Sequence, residues 1–181
     1  IDIKNLIKDD SLFISLIRSG ILNNKNLNMD INFKFKRIRD NKFLNNLILK
    51  TYLEEGNIII SNSSVRWKDA IEIEMSDAQI INNKEGINLI GKVNMKFIKP
   101  NKFYSSFQVN KRFRKNLEKI ELDFIYELMR KNLYLDNVKI NTKSNPNLER
   151  FIEDFNESEN ILNNKIIFKS FVNEFFKSYS G

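Results

Sequence analysis

Strict alternation of apolar and polar residues recurs along most of this chain and restricts what it can fold into. The alternation is clearest between Leu27 and Phe35, where every odd residue is apolar and every even residue is Asn, Asp or Lys. A period of two is typical of a β-strand with one face in a core and the other in water. The same pattern predicts further strands around residues 47–53, 58–61, 65–67, 71–75, 87–97, 120–126 and 133–140.

The connections between these segments are mostly short and rich in Asn and Gly, such as residues 55–57 and 82–86. Short turns of this kind join neighbouring strands as antiparallel hairpins, whereas parallel strands need long crossover connections. We therefore predict about eight strands in an antiparallel meander, and a mainly β fold. Residues 1–181 have no linker-like tract and are expected to form a single domain.

Helical periodicity replaces the alternation in four places. Leu12, Phe13, Leu16 and Ile17 predict a short amphipathic helix that stops at Ser19-Gly20. A second helix is predicted over residues 100–116, and Asn145-Pro146 opens a third. The last segment, from Asn164, has apolar residues at the helical spacing and predicts a C-terminal helical cap.

Composition excludes several kinds of chemistry. The 181 residues include no cysteine and no histidine, which rules out disulfides, Cys or His zinc sites, and triads that use either residue. The formal charge is +7, but no block of five or six basic residues occurs. We therefore expect no enzyme activity, no metal or other cofactor and no nucleic-acid partner.

The apolar side of the predicted sheet is the first candidate site. Eight strands at about 4.8 Å spacing would make this face roughly 40 Å wide. Either the C-terminal helices cover it as an ordinary core, or part of it stays open as a groove for acyl chains. The candidate groove residues are Met29, Ile31, Phe33, Phe35, Leu47, Leu49, Ile71, Ile73, Leu89, Val93 and Met95.

Charged residues supply two weaker candidates. A basic run of Lys111, Arg112, Arg114 and Lys115 could bind lipid phosphate headgroups, or could be the solvated end of the helix that starts at Pro100. The acidic pairs Glu72 with Glu74 and Glu121 with Asp123 lie on the polar side of their strands. We expect solvent there rather than a catalytic pocket.

Three stretches resemble the C-terminal region of AsmA-like proteins: residues 101–115 (NKFYSSFQVNKRFRK), 135–141 (LDNVKIN) and 163–181 (NNKIIFKSFVNEFFKSYSG). Residues 56–58 and the 80–97 hairpin are similar to the family's repeated strand pattern. The resemblance implies a curved, groove-forming sheet in a large envelope protein of Gram-negative bacteria. Such proteins have an N-terminal inner-membrane helix and a periplasmic β-rich body that is thought to carry phospholipid. The resemblance implies no catalytic residues.

The resulting hypothesis is a non-enzymatic periplasmic module for lipid transfer and outer-membrane homeostasis, with phospholipid as its partner. The chain starts at Ile1 without a Met, so we expect a fragment of a larger, inner-membrane-anchored parent. The alternative is a structural or protein-interaction module of envelope assembly with a fully covered sheet. A basic RNA-binding domain is a third candidate that rests on the charge alone.

Overall fold

A computed structural model describes residues 11–38, 41–83, 86–158 and 165–181. In this part of the chain eight strands form one antiparallel sheet, which confirms the predicted mainly β meander. The predicted turn residues Lys84 and Glu85, and Asn164 at the predicted start of the last helix, lie outside the described residues. The strands are β1 (Met29–Ile38), β2 (Asn41–Glu54), β3 (Asn57–Ile60), β4 (Ser63–Trp67), β5 (Ile71–Asn83), β6 (Gly86–Phe97), β7 (Lys119–Glu127) and β8 (Asn132–Ile140).

The strands follow one another across the sheet in chain order, except that β3 and β4 share one position. Both run antiparallel to β2 and to β5, and they lie end to end between these two long strands. At the break between them, the Ser61 N–H donates to the carbonyl oxygen of Lys50 (3.2 Å). The buried Ser63 hydroxyl accepts from the Lys50 N–H at 3.0 Å, so a side chain completes the backbone ladder there.

Bulges interrupt the alternation that the sequence predicts. The register shifts within β2, β5 and β8, and in each case the irregular segment contains an Asn or Asp with positive φ: Asn46, Asp77 and Asn137. These residue types tolerate the left-handed region better than other non-glycine residues. A bulge adds one residue to a strand, so the parity of the residues on each face changes after it.

Four helices accompany the sheet in the described residues: α1 (Leu12–Arg18), α2 (Pro100–Phe107), α3 (Pro146–Glu157) and α4 (Lys165–Ser180). Side-chain oxygens cap two of them, as Ser11 accepts from the Ile14 N–H and Asn145 accepts from the Leu148 N–H. The short first helix is confirmed. So is the helix that opens at Asn145-Pro146. None of the described helices is both long enough and apolar enough to cross a membrane.

The prediction of one helix over residues 100–116 is wrong in its extent. The helix ends at Phe107 because Gln108 takes a left-handed conformation (φ 56°), with its N–H bonded to helical carbonyls. Lys111–Phe113 then forms a separate 3-10 turn, which Asn110 caps by accepting from the Arg112 N–H. The basic run therefore does not form the end of α2.

Two cores lie on the same face of the sheet. The main core packs α2, α3 and α4 on β4 to β8, with Tyr104, Leu148 and Phe176 almost fully buried. A small core packs Ile14 and Ile17 of α1 against the other end of the strands, including Leu53 and Ile58. Aromatic pairs join the helices of the main core, for example Tyr104 with Phe176 at 5.2 Å between ring centroids.

Candidate apolar binding face

The register places all eleven predicted groove residues on the face that carries both cores. Directly opposite residues in an antiparallel pair share a face. Phe33 lies opposite Leu49, and Phe35 lies opposite Leu47. Further along the sheet the opposite pairs on this face include Met29–Leu53, Leu53–Ile58, Ile58–Ile80, Ile80–Leu89, Ile73–Met95 and Met75–Val93.

The helices cover the part of this face that β5 and β6 contribute. Ile71 is 3% exposed and belongs to the main core. Ile73, Val93 and Met95 are half-buried and pack against that core, and Leu89 packs against both cores. These predicted groove residues therefore serve the packing of the domain.

The β1 and β2 part of the face is more open. We call Met29, Phe33, Phe35, Leu47 and Leu49 the open strip, because neither core, as formed by the described residues, includes them. Met29 is 40% exposed and Phe33 is 39% exposed, and the other three side chains are half-buried. The Phe33 and Phe35 rings stack with centroids 5.9 Å apart. The sixth β1 and β2 candidate, Ile31, packs against the small core.

Trp67 marks the border between the covered and open parts of the face. On one side its ring meets Phe103 (6.1 Å) and Phe107 (5.8 Å) of α2. On the other side it stacks on Phe43 of β2, with centroids 6.5 Å apart. The Lys68 ammonium lies 4.9 Å from the Phe43 ring centroid, within the range of a cation–π contact.

Leu44 and Val65 are among the residues of this face that the sequence-based candidates omit. Leu44 lies opposite Trp67, and Val65 lies opposite Ile73, so both are on the apolar face. Leu44 has an even residue number, whereas Leu47 and Leu49 have odd ones. All three share one face because the bulge at Asn46 lies between them and adds one residue to the strand. An Asn inside an alternating segment is the one signal in the sequence that could have indicated this change.

The candidate headgroup residues lie next to the C-terminal helix α4. Their 3-10 turn packs on α4, where the Ser180 hydroxyl donates to the Phe113 carbonyl (2.9 Å). Lys111, Arg112 and Lys115 are exposed. Arg114 is half-buried, and its Nε donates to the Val109 carbonyl (2.9 Å). The open strip belongs to β1 and β2, at the edge of the sheet opposite β8. The fold therefore does not bring the basic run and the open strip together.

The acidic pairs lie on the opposite, polar face, and one carboxylate of each pair forms an ion pair, across strands for Glu72 and within β7 for Glu121. Glu72 pairs with Arg66, and Glu121 pairs with Lys119 at 2.7 Å. Glu74 is exposed and Asp123 is half-buried. Among the described residues no three acidic side chains are grouped so as to hold a metal ion.

A buried tyrosine of helix α2 has a strongly shifted pKa. Burial raises the pKa of Tyr104 to about 12, and its hydroxyl donates to the Lys115 carbonyl at 2.9 Å. Burial also raises the pKa of Tyr126. Tyr104 belongs to the main core, and Tyr126 packs against both cores.

Comparison with known proteins identifies no relative: no family model, curated protein or solved structure matches this chain.

Proposed function

We propose that this chain is a non-enzymatic module of an AsmA-like lipid-transfer protein and that it binds phospholipid acyl chains on the open strip. In this proposal the parent protein is anchored in the inner membrane, and the module works in the periplasm. The observation that carries the proposal is the exposure of Phe33 and Met29 on a face that the helices cover over β5 to β8.

The dimensions of the strip suit one acyl chain. Met29 to Phe35 spans six residue steps of about 3.4 Å, or about 20 Å. One leaflet of hydrocarbon is about 15 Å thick, half of the apolar core of a bilayer. Each methylene removed from water contributes about 0.8 kcal/mol, so contact along part of a chain offsets much of the cost of association.

Burial by the helices favours the alternative, a structural or protein-interaction module. Ile71, Phe97, Ile120 and Ile140 are buried beneath the helices, so most of the face acts as an ordinary core. The two proposals differ on β1 and β2 alone. The first assigns the open strip to a lipid, whereas the second assigns it no ligand.

The test measures binding of a fluorescent phospholipid to the purified chain, together with lipid extraction and native mass spectrometry. We expect saturable binding that Phe33→Asp weakens at least tenfold, because a carboxylate beside an acyl chain loses hydration. Ile125→Asp is the matched control. Ile125 is 45% exposed, close to Phe33 at 39%, but it lies on the polar face.

Equal affinity of Phe33→Asp and the unmodified chain would contradict the proposal. So would equal loss in Phe33→Asp and Ile125→Asp, because binding would then not depend on the face. Absence of both co-purified lipid and probe binding would favour the structural module.

A further inference from the structure

The outer edge of β1 carries backbone groups that pair with no described residue. Among the described residues β1 pairs with β2 alone, and the register is regular from Met29 to Phe35. No hydrogen bond joins the other side of β1 to a described side chain or loop. A regular, unpaired edge of this length is a template for another strand.

The bonds of Lys50 show which β1 residues point outward. The Lys50 N–H and carbonyl both bond toward the break between β3 and β4, away from β1. Successive residues of an antiparallel strand point to alternate sides, so Leu49 and Thr51 bond toward β1. Their partners Phe33 and Ile31 bond back to β2. Outward N–H and carbonyl groups therefore belong to Asp30, Asn32, Lys34 and Lys36.

The lysines of this edge lack the acidic neighbours that several basic residues elsewhere in the sheet have. On the polar face, several basic residues elsewhere in the sheet lie directly opposite acidic ones: Arg66 opposite Glu72, Lys92 opposite Asp123, and Lys139 opposite Glu121. Lys34 instead lies opposite Ile48. No ion pair joins Lys34 or Lys36 to another described residue.

We infer that the β1 edge binds an extended polypeptide segment as an antiparallel strand, with acidic residues opposite Lys34 and Lys36. In the bound segment, the residues that alternate with the acidic ones are apolar, and they extend the open strip by one strand. The inner strand β5 already has this pattern, Ile-Glu-Ile-Glu-Met-Ser at residues 71–76, between Arg66 of β4 and Lys96 of β6. A second copy of β1 fits less well, because it offers one carboxylate, Asp30, for two lysines.

The experiment uses a labelled synthetic peptide, Ile-Glu-Ile-Glu-Val-Thr-Val-Lys-Ile, and the purified chain, with binding measured by fluorescence anisotropy. We expect Lys34→Glu/Lys36→Glu to weaken binding at least tenfold. A peptide with its charges exchanged should bind this variant better than it binds the unmodified chain. Lys131→Glu/Lys143→Glu is the matched control, because it makes the same change in net charge near β8.

A second variant tests the backbone contacts. Lys34→Pro removes an outward N–H while it leaves the bonds between β1 and β2 in place, so it should abolish binding where Lys34→Ala does not. Absence of peptide binding, or equal weakening by the two double variants, would overturn the inference. A dimer of the unmodified chain that Lys34→Pro converts to a monomer would also overturn it, because the occupant would then be a second copy.

Discussion

The two edges of the sheet differ in how their backbone and apolar side chains are used. At β8, the Asn156 side chain of α3 accepts from the Leu135 N–H (2.9 Å) and donates to the Leu135 carbonyl (2.8 Å). The bulge at Asn137 and the backbone bonds between Ile140 and Lys143 interrupt the rest of that edge. The β1 edge has no such closure among the described residues, and the open strip lies beside it.

This difference shows that protection of the edge and burial of the face come from the same elements. Helix α3 contributes Leu148, Ile152 and Phe155 to the main core, and it also supplies Asn156 to the β8 edge. In the described part of the chain only Ile31 of β1 packs against a helix-containing core, and no helix side chain bonds to the outer edge of β1, so that edge and the open strip remain available together. A protein that only required a stable core would gain from closing both edges.

The largest expected contrast is between a carboxylate placed on the covered part of the apolar face and one placed on the open strip. Ile71→Asp should lower the free energy of unfolding by at least about 4 kcal/mol, because it buries an unpaired charge and removes core volume. Phe33→Asp should change that free energy by at most about 1 kcal/mol, because the side chain reaches solvent. Urea unfolding at neutral pH measures both values.

Ile71→Val is the control for the covered side, and it should cost about 1 kcal/mol. If Ile71→Asp and Phe33→Asp destabilise the chain equally, the distinction between covered and open parts of the face is wrong.

An intermediate effect is expected at the β8 edge. Asn156→Ala removes both bonds to the Leu135 backbone and should cost about 1–3 kcal/mol. The exchange protection of the Leu135 amide hydrogen should fall with it, as hydrogen exchange followed by NMR can measure. Asn147→Ala, an exposed change on the same helix, is the control. Unchanged protection at Leu135 would mean that Asn156 does not close the edge.

The smallest expected effect depends on pH. Tyr104 titrates at about 12 in the folded chain and at about 10 when unfolded, so its contribution to stability is complete below pH 10. The contribution is lost as the pH rises through 12. Tyr104→Phe should cost about 1 kcal/mol at pH 7, where it removes the bond to Lys115.

Between pH 10 and 12 the stability of Tyr104→Phe should fall less steeply than that of the unmodified chain. Tyr126, whose pKa burial also raises, leaves a residual dependence in both proteins. Thermal unfolding across this pH range compares the two slopes, and parallel slopes would count against a buried, protonated Tyr104.

Local patterns predicted the elements well but failed where the chain departs from a regular period. The alternation of residues 27–35 indicated β1 correctly, because period two follows from the geometry of a single strand. Leu44 was missed because a bulge at Asn46 inverts the parity, and its position depends on pairing with β4. Helix α2 was predicted too long because apolar spacing does not record the left-handed turn at Gln108.

The sequence by itself determined that one face of an antiparallel meander would be apolar, since that property depends on residues two apart within each strand. Only the tertiary structure decided which part of the face the helices cover, because coverage depends on contacts between segments far apart in the chain. Phe33 and Ile71 occupy equivalent positions in the alternation. One is exposed and the other buried because α2 to α4 pack toward β8.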